Sequence, residues 1–220
     1  NTMQTDFSSS DSRLRDKDFR ISHFYKITNK DGAIATFTPN QAQVHFHKNR
    51  HNRNIILKSR RLGFTTDSCV DMLDETLFNK FFFSLFISYD DPSSKKVFSD
   101  IIKLAWDHFP LRHLYQIDTS SSNALKVLFD EGVFSLIEVK TSARGGRTSF
   151  LHVSEFGKIC DRFPDKAVDI LSGSIPSLIP NGRLIIESTA VGETGSFHDM
   201  FWDAWDNPNP DKSPHEYKAF

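Results

Sequence analysis

The sequence predicts an α/β domain built on a mainly parallel sheet, and three observations predict it. From Ala33 onward, short apolar runs alternate with longer amphipathic segments, the pattern of strand and helix units laid around a parallel sheet. Residues 124–129 and 133–139 are apolar stretches separated only by Asp130-Glu131-Gly132, a hairpin turn in which Gly accepts a positive φ without steric cost. Two more short strands, residues 150–153 and 184–186, run straight into polar residues. In open α/β sheets ligands gather at such carboxyl ends.

Residues 1–18 are rich in Ser, Asp and Thr with little apolar periodicity, and read as a flexible, solvated N-terminal arm outside the fold. Residues 19–220 then form one domain. Residues 54–57 (NIIL) make a buried strand, followed by a turn over 58–63 and a helix over 65–78. Residues 82–88 (FFSLFIS) form a second apolar run. The spacing predicts a helix over 94–109, with Val97, Ile101, Leu104 and Ala105 on one face. The hairpin and the two short strands complete the order.

A chain of 220 residues can bury one sizeable core, and 38% apolar with 25% charged residues is an ordinary globular composition. No apolar run approaches the roughly 20 residues needed to cross a bilayer. No charged-then-apolar segment opens the chain, so a cytoplasmic location is expected. Cys69 and Cys160 lie far apart without CxxC spacing, which argues against a disulfide framework or a zinc site and for two reduced core residues. The net charge of −1 argues against a permanently basic nucleic-acid surface while leaving room for a local stripe. His45, His47 and His51 sit among Lys48, Arg50 and Arg53 with no Cys or carboxylate to complete a metal set, so they read as a solvated basic face. Trp202 and Trp205 are expected to pack a core edge.

The turn Lys58-Ser59-Arg60-Arg61-Leu62-Gly63-Phe64-Thr65 has the outline of a phosphate-binding loop. Lys58 replaces the first Gly of G-x-x-x-x-G-K-[ST] and Phe64 replaces its Lys. The physical requirements are still met: a strand ends, backbone N–H groups turn around an anion at a helix N-terminus, and Thr65 offers a hydroxyl to Mg²⁺. The missing positive charge is open among Lys58, Arg60 and Arg61. Ser59, Gly63, Phe64 and Thr66 complete the expected phosphate-binding set. Taken alone, the same loop is equally an ordinary basic turn before a helix. Phe150-Leu151-His152-Val153-Ser154-Glu155 has the form of a Walker B strand, with Ser154 where Asp is usual. Glu155 stands where a carboxylate orients the attacking water, as phosphoanhydride hydrolysis requires. At a third tip, Glu187-Ser188-Thr189-Ala190, the hydroxyls of Ser188 and Thr189 suit a contact that senses whether a γ-phosphate is present.

Together the segments KSRRLGFTT, LHVSEFGK and IESTAVGETGSF, within residues 38–205, resemble the deviant Walker A loop, the Walker B strand and the coupling motif of phage large terminase ATPase domains. The resemblance implies a three-layer α/β P-loop NTPase of the ASCE type. Such a fold has an extra strand between the Walker A and Walker B strands, a mainly parallel central sheet with helices on both faces, and here an inserted antiparallel hairpin. ATP and Mg are the implied cofactors. In that family the basic phosphate contact sits at the start of the loop, which assigns it to Lys58 or Arg60. Thr65 and Ser154 then serve the metal, partly through water. Within Phe37-Thr38-Pro39-Asn40-Gln41-Ala42-Gln43, Gln43 is favoured over Gln41 for reading adenine, because an amide pairs bidentately with the adenine edge. Arg144 precedes the Walker B strand, where terminases place an arginine that reaches a neighbouring subunit's nucleotide. A planar, permanent charge suits that role, and Arg147 is the competing candidate.

The implied activity is ATP hydrolysis that drives double-stranded DNA into a procapsid. A homo-oligomeric ring would work in the host cytoplasm at the portal vertex, with the portal protein and small terminase subunit as partners and no membrane. No acidic cluster of the nuclease kind occurs before Phe220, so no nuclease activity is expected of this chain. Two rivals remain. A helicase-like DNA translocase ATPase usually keeps Lys at the Phe64 position and adds a second motor domain. A non-hydrolysing nucleotide-binding assembly module is compatible with both Phe64 and Ser154.

Overall fold

A computed structural model describes residues 12–118, 121–142 and 146–220. The chain begins with helix α1 (Lys17–His23) and a hairpin of β1 (Lys26–Thr28) and β2 (Ile34–Thr36), then α2 (Gln41–Asn49). Strand β3 (Arg53–Leu57), helix α3 (Phe64–Phe78) and strand β4 (Phe83–Ile87) form the first strand-helix-strand unit. Next come α4 (Asp91–Val97), a π-helical turn (Phe98–Lys103), α5 (Leu104–Asp107), and strands β5 (Gln116–Asp118), β6 (Ala124–Asp130) and β7 (Val133–Lys140). Strand β8 (Thr148–Ser154), helices α6 (Phe156–Arg162) and α7 (Pro164–Asp169), strand β9 (Leu178–Ser188), α8 (Ser196–Trp205) and β10 (Tyr217–Ala219) complete the order.

The main sheet runs β10-β3-β9-β8-β4-β7-β6-β5. From β10 to β7 all pairs are parallel, and β6 and β5 add an antiparallel edge. Strand β9 is thus inserted between β3 and β8, so the Walker A-like and Walker B-like strands are not neighbours. The sheet divides two apolar layers. Met72, Leu73, Leu77, Phe86, Ile102 and Phe109 belong to one layer, and Leu151, Phe156, Ile159, Ile170, Phe197 and Phe201 to the other. Every residue of β8 is buried, as expected for a central parallel strand covered on both faces.

Helix α3 is tied down by charge as well as packing. The guanidinium of Arg20 donates to both oxygens of Asp74, at 2.9 and 2.7 Å, and the Tyr25 hydroxyl donates to Asp74 at 2.8 Å. One turn earlier, buried Asp71 takes Arg50 at 2.6 Å, Arg183 at 2.8 Å and Lys17 as ion-pair partners. Burial pushes the Asp71 carboxyl up, but Arg183, Lys17 and Arg50 outweigh it and hold the group far below the usual carboxylate range. These contacts join α1, the end of α2 and β9 to one face of α3.

Several expectations are corrected here. Helix α1 starts at Lys17, inside the stretch 1–18 read as an arm, because Lys17 and Arg20 reach the α3 carboxylates; residues 1–11 lie outside the described residues. The helix expected over 94–109 is present and runs without a break from Asp91 to Asp107, with π-helical bonding over Phe98–Lys103 that periodicity did not foretell. The widened turn buries Phe98, Ile102, Ala105 and Trp106, so the inward face sits about one residue away from the expected one. Trp202 and Trp205 pack against the core edge as expected, Trp202 edge-on to Phe201 at 5.6 Å and Trp205 stacked on it at 5.9 Å, while staying part-exposed. Phe197, Phe201 and Ala204 take the inward stripe of α8, and helical spacing turns the tryptophans outward at 45% and 59% exposure. Cys69 is buried, Cys160 half-buried, and both are free.

Candidate functional site

The tips of β3, β9 and β8 lie side by side, because these strands are neighbours and all three point the same way. After β3 the loop turns through Arg61 (φ 66°) and Gly63 (φ 77°) into α3. Gly63 is required there: a Cβ would lie 2.9 Å from Gln43 Nε2 on a backbone that L side chains rarely adopt. The N-terminus of α3 has no side-chain cap, which leaves first-turn N–H groups available to an anion, with the helix dipole behind them.

Lys58 folds back from the start of the loop. Its Nζ lies 2.9 Å from Glu187 Oε2. Thr65 Oγ1 donates to Glu187 Oε1 at 3.1 Å, and Ser154 Oγ donates to the same oxygen at 2.8 Å. Beneath them His152 is fully buried, stacked on Phe86, with Nε2 at 3.5 Å from Glu187 Oε1. Burial pushes the His152 imidazole below its ordinary value, against the opposite pull of the Glu187 carboxylate. Burial also pushes the Glu187 carboxyl up, but the hydrogen bond and charge of His152, with the charge of Lys58, outweigh it and bring the group down to about 2. Glu187 is therefore ionised at neutral pH.

Glu155 follows β8 in a left-handed conformation, φ 55° and ψ 40°, uncommon for a residue with a Cβ and found disproportionately at functional sites. Its Oε2 lies 2.8 Å from Lys158 Nζ and accepts from Thr189 Oγ1 at 3.5 Å. Ser188 Oγ turns back to the carbonyl of Thr189 at 2.8 Å. A Cβ on Gly157 would meet Ser188 Oγ at 2.8 Å. The start of α6, which carries Glu155, is therefore pressed against the third tip.

The remaining expected residues are placed as follows. Phe64 is buried and meets Phe46 edge-on at 5.7 Å, so only its backbone N–H is left for phosphate. Arg60 and Arg61 are exposed and make no hydrogen bond or ion pair among the described residues; Ser59 is exposed and Thr66 half-buried. Gln43 is buried, with Oε1 accepting from the Asn40 N–H at 2.7 Å and Nε2 donating to the Gly63 carbonyl at 3.0 Å. It therefore supports the end of the loop. Arg144 lies outside the described residues. Arg147 is exposed beside a cleft of about 510 Å³ at the amino-terminal ends of β4 and β8. His47 pairs with Asp67 at 2.8 Å, and His51 meets the Ser213 carbonyl at 2.9 Å.

Glu187 has no assigned role in the sequence reading, although it sits in the quoted third tip. The signal that finds it is a lone carboxylate closing an otherwise aliphatic strand (Leu184, Ile185, Ile186), in a chain whose other candidate strand tip has Ser154 where an acid is usual.

Neither a protein-family model nor a curated protein sequence matches this chain. Solved structures do. The chain is similar to the large terminase ATPase domain of Thermus phage P74-26, with a TM-score of 0.59 and 14% identity over 84% of this chain and 80% of that one. It is similar to the large terminase of bacteriophage HK97, with a TM-score of 0.64 and 17% identity over 94% of this chain and 42% of that one. The N-terminal domain of the DNA packaging ATPase from bacteriophage phi29 aligns with a TM-score of 0.51 and 12% identity, over 82% of this chain and 94% of that one. The fold is thus that of phage large terminase ATPase domains, with a mostly parallel sheet and an antiparallel insertion.

Proposed function

We propose that this chain hydrolyses ATP at the three strand tips and is the motor domain of a machine that moves double-stranded DNA into a viral procapsid. One observation carries the reading: Lys58, Thr65 and Ser154, from the loop after β3, from α3 and from β8, converge on one buried carboxylate beside a strained glutamate. The terminase-like fold supports it, because it is the fold of ATPase domains.

In this reading the first-turn N–H groups of α3, with Lys58 and Arg60, hold the phosphates. Thr65 and Ser154 are oxygen donors suited to Mg²⁺, which when bound would neutralise phosphate charge. Glu155 accepts a proton from, or orients, the attacking water. Thr189, which touches Glu155, and Ser188, packed on Gly157, relay the loss of the γ-phosphate to α6. One N–H and one lone pair of the Gln43 amide are used on the protein, and the other pair is what adenine would meet. Arg144 would act across a subunit boundary in a homo-oligomeric ring at the portal, with the small terminase subunit as a further partner.

The test is steady-state ATP hydrolysis over a range of protein concentrations, with Glu155→Gln and Arg144→Ala beside the wild type. General-base removal lowers turnover by about 10²–10⁴-fold, and trans action requires wild-type turnover to rise with concentration. Equal inactivity of wild type and Glu155→Gln, with nucleotide still bound, favours the non-hydrolysing module.

A further inference from the structure

The Walker B position of this chain is a serine, yet the site does not lack an acid. Ser154 and Glu187 are register partners across β8 and β9, so the two side chains leave the sheet side by side. The Glu187 carboxylate reaches across the gap. Its Oε1 accepts from both Ser154 Oγ and Thr65 Oγ1, and its Oε2 faces Lys58 Nζ. One side chain thus touches the loop strand, the first turn of α3 and the Walker B-like strand. Folding alone would be served by an aliphatic residue here, as at Ile185 and Ile186, because a buried carboxylate is costly unless fully paired.

The direction of the hydrogen bonds matters. A hydroxyl that donates its only proton to a carboxylate turns its lone pairs away from that carboxylate. Thr65 and Ser154 are both locked in this sense, which is the sense a hard cation needs from an oxygen ligand. Lys58 keeps two of its three N–H donors for other acceptors.

We propose that Glu187 is the positioning carboxylate of the nucleotide site, standing in from β9 for the acid that position 154 lacks. It orients the Thr65 and Ser154 hydroxyls toward a divalent cation and holds Lys58 at the phosphate end of the loop. The proposal rests on the nucleotide-site reading above and adds to it the source of the acidic group.

The experiment is equilibrium binding of ADP, with MgCl₂ and with EDTA, to the wild type, Glu187→Gln and the double variant Ser154→Asp/Glu187→Gln, each checked for folding by its melting midpoint. Wild-type protein binds ADP more tightly with Mg²⁺. Glu187→Gln loses about ten- to hundredfold of that Mg²⁺-dependent gain, the usual penalty for losing a group that orients metal ligands, with a distinctly smaller loss in EDTA from the less firmly held Lys58. The double variant, which returns a carboxylate to β8, recovers the gain. A purely structural Glu187 would instead weaken binding equally in Mg²⁺ and EDTA, with no recovery in the double variant, and that result overturns the proposal. An undiminished Mg²⁺ effect in Glu187→Gln overturns it as well. If the wild type binds no ADP under either condition, the nucleotide-site reading itself falls and the proposal falls with it.

Discussion

Asp71 and Glu187 are both buried carboxylates with cationic neighbours, one midway along α3 and the other beside its first turn, yet they are surrounded differently. Asp71 is gripped by Arg50, Arg183 and Lys17, and Arg183 also reaches Glu75 at 3.3 Å. Guanidinium groups are permanently charged, planar and able to bridge two carboxylates, so this cluster suits a fixed joint between α1, α2, α3 and β9. Glu187 has one lysine, two hydroxyls and a buried imidazole. Lys58 is a single-point donor on a rotatable chain with N–H groups to spare, and the two hydroxyls keep their lone pairs for other partners. The comparison teaches that a buried charge can be a rivet or a hub, and that the chemistry of its partners tells which.

The strongest way to break this comparison is Asp71→Asn. It leaves three cations around a neutral group and is expected to destabilise the protein by about 3–5 kcal/mol, as other broken buried pairs do. Urea unfolding measures this, and protein that remains folded should keep its Mg²⁺-dependent ADP binding. Loss of that binding with little loss of stability would make Asp71 part of the site.

Acid is the next probe. Glu187 titrates near 4.5 when unfolded and is held at about 2 in the fold. Its contribution is fully present above about pH 4.5 and is lost as the pH falls toward 2. The melting midpoint should therefore drop across that window, and Glu187→Gln should show a shallower drop. Identical slopes for the two proteins would mean that Glu187 is not ionised in the fold.

The smallest expected effect is at the loop. Gly63→Ala places a Cβ against Gln43 on a left-handed backbone, at a cost of about 1–2 kcal/mol. Because the strain falls on the loop rather than the Asp71 joint, ADP affinity should fall along with the melting midpoint. A stable variant with unchanged affinity would separate the loop from the nucleotide.

Much of this was legible in the sequence. The strands at 54–57, 150–153 and 184–186 are apolar runs that end in polar residues, and the structure brings those three ends together. The hairpin was legible from Asp130-Glu131-Gly132. The three-residue strands β1, β2, β5 and β10 were not, because so short a run carries no periodicity and pairs only where a neighbour is already in place. The helix after β4 was legible but its π-helical stretch was not, for a related reason: the apolar spacing of residues 97–109 fits more than one inward face, and only packing buries Phe98 and Ile102 more deeply than Val97 and Ile101.

The sequence by itself determined the α/β alternation, the loop with its Gly63 and Thr65, and Glu155 one step past a buried strand, because these depend on local periodicity and turn chemistry. The tertiary structure decided which strands stand side by side, where Lys58 points, that Phe64 belongs to the core, and that a carboxylate on β9 meets the serine on β8. Those are contacts between residues far apart in the chain, set by sheet order and register, and no local pattern encodes them.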